Sequence, residues 1–267
     1  MKSIAILLFS GVVILSACNS DKKEKARWLP NVTNQDHGPL KQKEINGNFD
    51  GIEVSQAIEA QIIKSDTERV VLSAPSNIID DILVEHSGGK IHIHYKTGIR
   101  LMNTQKVIAK IYAKDFVKLI ANASASIVVK DKFTQEKTDI EASSAAHISG
   151  NFEANDLEIS VDNSSTFEGK IWAINLDVDA SSTADVNISG KSKNAEISSS
   201  SGSSINAKNV VVENLKANAS SGASLKISTN STVDAEASSG GSVDVYKKGN
   251  VAVTRKEESS GGSVNIN

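Results

Sequence analysis

Three groups of residues in this chain have types and spacing that could support chemistry. His92 and His94 alternate with Ile91, Ile93 and Tyr95, so on an extended strand both imidazoles leave the same face, with His86 a few positions earlier. Two imidazoles on one face hold a metal ion when a third ligand stands close, and otherwise they are ordinary solvated histidines. His92 and His94 are therefore the candidate ligands of a chain expected to carry no metal and no cofactor. Asp177 and Asp179, and later Asp234 and Glu236, share the same alternate spacing. Each pair places two carboxylates on one outward face, where they can act as general acid and base or take calcium. No arginine accompanies them, and a solvated strand accounts for them equally. The third group is a single residue, Cys18, the one cysteine of the chain, which rules out a disulfide within the monomer. No phosphate-cradling glycine loop, nucleophile elbow or Ser/His/Asp arrangement is present, so no catalytic residue is expected.

A repeat must position these side chains. From about Ala121 onward, two small polar residues, a short turn and an aliphatic residue recur roughly every 20 residues, a period that marks stacked repeats. The clearest copies begin at Ser181-Ser182, Ser200-Ser201, Ser220-Ser221, Ser238-Ser239 and Ser259-Ser260; fainter ones begin at Ala123-Ser124, Ser143-Ser144 and Ser164-Ser165. Leu215, Ala217 and Ala219 alternate with polar residues, as do Leu176, Val178 and Ala180, then Val233, Ala235 and Ala237, then Val243 and Val245, which is the pattern of half-buried strands. Equivalent strands one period apart require a coiled chain. The predicted fold is all-β, a right-handed parallel β-helix (β-solenoid) of about 20 residues per turn. Roughly eight rungs at about 4.8 Å make a rod near 40 Å long. The second Ser of each pair is expected to point inward, and Gly202, Gly222, Gly240 and Gly261 to supply bends with positive φ.

The N-terminus carries Lys2 and then an apolar run from Ile4 to Leu15, too short to span a bilayer stably, closing on Leu15-Ser16-Ala17-Cys18. This resembles the lipobox of a bacterial lipoprotein, which implies cleavage after residue 17 and lipidation of Cys18, an anchor that several acyl chains make stable. Asn19 after the cysteine resembles an outer-membrane sorting signal, and Asn19 to Glu24 a surface-export signal. The expected organisation is a signal peptide over 1–17, a lipidated flexible tether over 18–43 and one β-solenoid domain over 44–267. Within that domain, 44–120 forms capping turns and 121–267 the Ser-Ser-Gly rungs. Trp28-Leu29 is an apolar island in the tether, free in solvent or anchoring to the domain or membrane interface. Gly88-Gly89 between two strands marks a hairpin.

The opening Asn46-Gly47-Asn48-Phe49-Asp50-Gly51-Ile52-Glu53-Val54, the segment Ile91-His92-Ile93-His94-Tyr95 and the Ser-Ser-Gly-x-Ser-apolar rungs resemble the head-GIN domain family, described as putative auto-transporter adhesins. The resemblance runs from about Glu44 onward. It implies a lipobox-bearing, parallel β-helix protein of the Gram-negative envelope, on the outer membrane's periplasmic face or the cell surface. The expected role is a non-enzymatic adhesin or scaffold presenting a polar face to a glycan, matrix or protein partner; the alternative is a β-helix polysaccharide lyase or hydrolase. Phe49, Tyr95 and Phe167 fall at core positions, leaving Trp172 and Tyr246 as aromatics available to a sugar. A formal charge of −3 with interspersed Lys and Asp argues against nucleic acid. Lys256 and Glu258 fall at inward positions of the last rung and suggest a polar end plate and a monomeric rod.

Overall fold

The computed structural model describes residues 38–267 apart from 99 and 102–105, together with 32–33. Cys18, Trp28-Leu29, the signal segment and most of the tether lie outside the described residues. In chain order the strands are β1 (Val32–Thr33), β2 (Leu40–Asn46), β3 (Gly51–Val54), β4 (Glu59–Lys64), β5 (Arg69–Pro75), β6 (Ile82–Ser87), β7 (Lys90–Tyr95), β8 (Arg100–Leu101), β9 (Ile108–Ala113), β10 (Lys118–Ala121), β11 (Ser126–Val129), β12 (Phe133–Ala142), β13 (His147–Val161), β14 (Thr166–Ala180), β15 (Asp185–Ser199), β16 (Ser204–Ala219), β17 (Ser224–Ala237), β18 (Ser242–Lys247), β19 (Ala252–Glu258) and β20 (Ser263–Ile266). β1 and β8 pair in parallel as a separate two-stranded sheet, and the other strands form one sheet that coils into a β-solenoid of about 8 turns, each of ~19 residues.

The inward residues explain the coil. In β14 the buried side chains are Phe167, Ile171, Ala173, Leu176, Val178 and Ala180. Between Phe167 and Ile171 the inward-phase position is the half-buried Gly169, and between Ala173 and Leu176 the alternation slips by one; at each place the chain rounds a corner while keeping its apolar side inward. A third, sharper corner follows Ala180, so each rung has three flat runs. We call the run before the sharp turn the first face, the run after it the second, and the run between the two gentler corners the third. Rungs pair in parallel and nearly without slip: Ala142, Val161, Ala180, Ser199, Ala219 and Ala237 stack as successive partners in one column.

The sharp corner is a four-residue turn whose two central residues have positive φ, for example Ser182 at 52° and Thr183 at 62°, closed by Ala184 N donating to Ser181 O at 3.1 Å. That geometry belongs to the primed turns, in which Gly and Asn are favoured. Gly202, Gly222, Gly240 and Gly261 occupy its second central position at φ 73–79°, as expected. The second Ser of each pair is a correction: Ser182, Ser201, Ser221, Ser239 and Ser260 occupy the first central position, at φ 48–53°, and are exposed. Two successive left-handed residues break the period-two alternation, so the inward position falls on the fourth turn residue, Ala184, Ser203 or Ala223. The turns also form a ladder of their own. Thr183 N donates to Ser201 O, Gly202 N to Ser221 O and Gly222 N to Ser239 O, each at 3.1 Å.

One rung departs from the alanine column. Ser199 and Ser203 are both buried, and their hydroxyls lie 2.8 Å apart. Ser203 Oγ also donates to Ala180 O at 2.8 Å and accepts from Ser200 N at 3.0 Å, so the buried polar atoms are satisfied.

The N-terminal segment is built differently from the rungs, with antiparallel strands at the end of the stack. β3 and β4 form a rung that lies on β10 and β11 in parallel register. On the opposite side of that rung sit β7 and β9, which come later in the chain than β3 and β4 but earlier than β10. β6 then pairs antiparallel with β7 across Gly88 and Gly89, whose φ values of 58° and 81° suit a two-residue hairpin. β5 pairs antiparallel with β9, and β2 with β5. In the main sheet the pairing of β2 begins at Leu40. β2 is exposed along almost its whole length, and backbone bonds to β5 rather than apolar burial hold it in place, which is why residues 40–43 carry no hydrophobic pattern.

In the last rung Lys256 and Glu258 stand in register with Ala235 and Ala237, as expected, but both side chains stay exposed. Lys256 Nζ lies 3.2 Å from Glu258 Oε1, which also accepts Val264 N at 2.7 Å.

Candidate functional site

The histidines divide between two faces. His92 and His94 share the outward face of β7, as their alternation requires, with ring centroids 4.2 Å apart and planes tilted by 26°. His86 is the register partner of buried Ile91 and projects from the other face, against Gly47, where an added Cβ would lie 2.5 Å from the imidazole. The two stacked rings do not converge on a common point. His92 Nε2 meets Ser55 Oγ at 2.8 Å and Glu53 Oε1 at 3.5 Å, whereas His94 Nδ1 meets Tyr95 O at 2.8 Å and its Nε2 lies 3.4 Å from Glu85 Oε2. Burial, helped by the charges of His94 and Lys90, pushes His92 below the usual imidazole range against the pull of Glu53. Burial raises Glu53 in turn, but the hydrogen bond from Lys90, the His92 charge and the Asn122 amide outweigh it and hold the carboxyl low. Among the described residues no group of three or more His, Cys, Asp or Glu side chains has metal-binding geometry.

The carboxylates lie on the first face, beside a groove of about 580 Å³ running across several rungs. Glu158, Asp177 and Glu196 stack as register partners, followed by Lys216, Asp234 and Arg255. Burial, then the neighbouring carboxylates Asp179, Glu196 and Glu158, raises Asp177 above the ordinary aspartate range. Asp234 and Glu236 do have an arginine, contrary to the sequence reading. Arg255 Nε lies 2.8 Å from Asp234 and its Nη2 3.2 Å from Glu236, because one rung of parallel pairing places Arg255 beside them.

Along one corner of the groove runs an amide ladder that sequence reasoning missed. Asn175 Nδ2 donates to Asp156 Oδ1 at 2.7 Å, Asn194 to Asn175 at 2.8 Å and Asn214 to Asn194 at 2.9 Å, and Thr232 Oγ1 donates to Asn214 Oδ1 at 3.0 Å. Its signal was available in the repeat, since these residues recur at the rung spacing.

The third face carries Trp172, 36% exposed, with Ile174 beside it at 38%. Trp172 is the register partner of Glu153 on one side and Lys191 on the other. It forms the ridge between two shallow grooves of about 200 and 350 Å³. Tyr246, the other aromatic singled out, is half-buried, and Lys208 Nζ lies 4.3 Å from its ring centroid. The ridge depends on close approach of neighbouring backbones. At Gly190, with φ 130°, an added Cβ would lie 1.9 Å from Ile171 O.

The family model described as "Putative auto-transporter adhesin, head GIN domain" matches residues 48–249. No curated protein matches the chain. Among solved structures, a putative adhesin from Parabacteroides merdae is 19% identical with a TM-score of 0.80, covering 86% of this chain and 97% of its own. A putative adhesin from Parabacteroides distasonis is 20% identical with a TM-score of 0.77, covering 87% and 98%. A putative lipid binding protein from the same species is 20% identical, also with a TM-score of 0.77, covering 86% and 97%. At these identities the likeness establishes the shared solenoid fold.

Proposed function

The chain belongs to the head GIN domain family, described as "Putative auto-transporter adhesin", and from that premise we propose that it is a non-enzymatic adhesin or surface scaffold of the cell envelope, held at the outer membrane by lipid on Cys18. One observation supports this reading above the others. The rungs present rows of equivalent polar side chains in register over long flat faces, as in the ladder from Asp156 through Asn175, Asn194 and Asn214 to Thr232. A surface of repeated groups suits a repeating or extended partner, whose weak contacts add along the rod. Asp234 and Glu236 fit an architectural role better than catalysis, because Arg255 neutralises both.

The reading is tested by protease treatment of intact cells that produce the protein, alongside a Cys18→Ala variant. Exposure at the surface predicts loss of the rod from intact cells and release of the variant from the membrane fraction. Resistance until lysis would overturn surface presentation, and a variant that stays membrane-bound would overturn the lipid anchor.

A further inference from the structure

We propose that the paired grooves around Trp172 bind an acidic polysaccharide, one whose sugars carry carboxylate or sulfate groups. The proposal rests on the adhesin reading and supplies its ligand class. It starts from a cluster of positive charge that the rod leaves unpaired. On the first face the cations are neutralised: Lys118 lies 2.9 Å from Asp139 and 2.6 Å from Glu141, Lys216 is bonded to Glu196, and Arg255 holds Asp234 and Glu236. On the third face Lys132 is bonded to Glu153, but Lys170, Lys191 and Lys193 make no ion pair among the described residues. All three of these lysines are exposed.

Their placement around the indole is fixed by pleat and register. Lys170 precedes Trp172 on the same face of β14, and Lys191 is its partner on β15, about 4.8 Å away along the rod. Lys191 and Lys193 line the larger groove with Asn230 and one carboxylate, Glu213, and Lys170 lines the smaller one with Asn151 and with Glu153, which Lys132 neutralises. The indole N–H has no partner within the described chain. A sugar ring offers an apolar C–H face to an aromatic surface, hydroxyls to Asn and to the indole N–H, and, in an acidic sugar, an anion to the lysines. The same site suits a lipid surface poorly. Its exposed apolar residues are Trp172 and Ile174, and Trp172 sits between two hollows, whereas interfacial binding needs a broad apolar face.

The test uses the whole protein carrying Trp28→Phe, so that indole emission reports Trp172 alone, since the chain has 2 tryptophans. It is titrated with polygalacturonate, dextran sulfate, unmodified dextran and vesicles containing an anionic phospholipid. The expected result is a saturable emission change with the carboxylated or the sulfated polymer, weakening as salt rises, and none with dextran. The two acidic polymers distinguish carboxylate from sulfate as the recognised group. Trp172→Ala, measured by titration calorimetry, and the Lys170→Gln/Lys191→Gln/Lys193→Gln variant, by emission, should each weaken binding by about tenfold or more. Asp177→Asn, on the first face, should leave binding unchanged. Equal binding to dextran, response to vesicles alone, insensitivity to these substitutions or silence with both acidic polymers would each overturn the proposal. A rod removed by protease from intact cells that ignores both acidic polymers would retain the adhesin reading and lose only this ligand.

Discussion

Replacing Ala219 with Phe should lower the stability of the rod far more than the same change at Asn218. Ala219 is fully buried in the column that holds Ser199 on one side and Ala237 on the other, and the turn that follows it ends in buried Ala223. Rungs repeat about every 4.8 Å, so a phenyl ring has no free layer to enter. It must displace Ser199 or Ala237, or part the backbones that Ser220 N, donating to Ser199 O at 2.9 Å, and Ser238 N, donating to Ala219 O at 3.0 Å, hold together. Overpacking of this kind costs about 1–3 kcal/mol. Val161 occupies the same column three rungs away, so Ala219→Val should fall at the low end of that range. Asn218 points outward, in register with Ser198 and Glu236, and its change to Phe should cost no more than about 0.5 kcal/mol. Urea unfolding followed by far-ultraviolet circular dichroism compares the variants. Equal shifts at 218 and 219 would refute the inward register of the first face.

Asp177→Asn should stabilise the rod at neutral pH by about 0.2–1 kcal/mol, the range for relieving like charges on adjacent strands. Because burial and neighbouring carboxylates raise Asp177 in the folded state, the native form binds more protons than the unfolded one just above the ordinary aspartate range, so stability falls as pH rises there; the amide should flatten that slope in melts taken across pH. Ser203→Ala should cost about 0.5–1.5 kcal/mol by removing a hydroxyl bonded to Ser199 and Ala180 O, while Ser199→Ala/Ser203→Ala should recover most of it in the same denaturation assay. Gly190→Ala should be among the most damaging single changes, because its Cβ would meet backbone at 1.9 Å in a left-handed conformation; a thermal midpoint equal to the parent's would contradict the close approach at that corner.

Much of the solenoid was legible because parallel stacking writes itself into the sequence as a period, and because inward residues alternate within each flat run. Leu176, Val178 and Ala180, then Leu215, Ala217 and Ala219, needed nothing beyond that rule. The rule failed where the backbone stopped being extended. Two consecutive left-handed residues in each turn moved the buried position from the second Ser to the fourth turn residue. Of the two gentler corners only the second shifts the phase, and neither carries the Ser-Ser-Gly signature of the sharp turn, so the third face and its Trp172 ridge were not separated from the rest of the rung. Contacts one rung apart, such as Arg255 with Asp234 or Asn175 with Asp156, need the register to be known to within one residue. The antiparallel cap had no local signature beyond Gly88-Gly89, since its pairings join segments that the alternation pattern treats alike.

The place of β3 and β4 between β7–β9 on one side and β10–β11 on the other sets the order in which the chain can assemble. A rung clasped by two later segments cannot be completed until both have been made, so residues up to about 129 condense as one unit whose pairings span long loops and carry their closure entropy. Every rung after that meets a finished edge and closes a loop of only one turn. The expected folding order is a slow, cooperative seed followed by fast, templated elongation, so destabilising changes in the seed should delay folding while those in the later rungs should chiefly hasten unfolding.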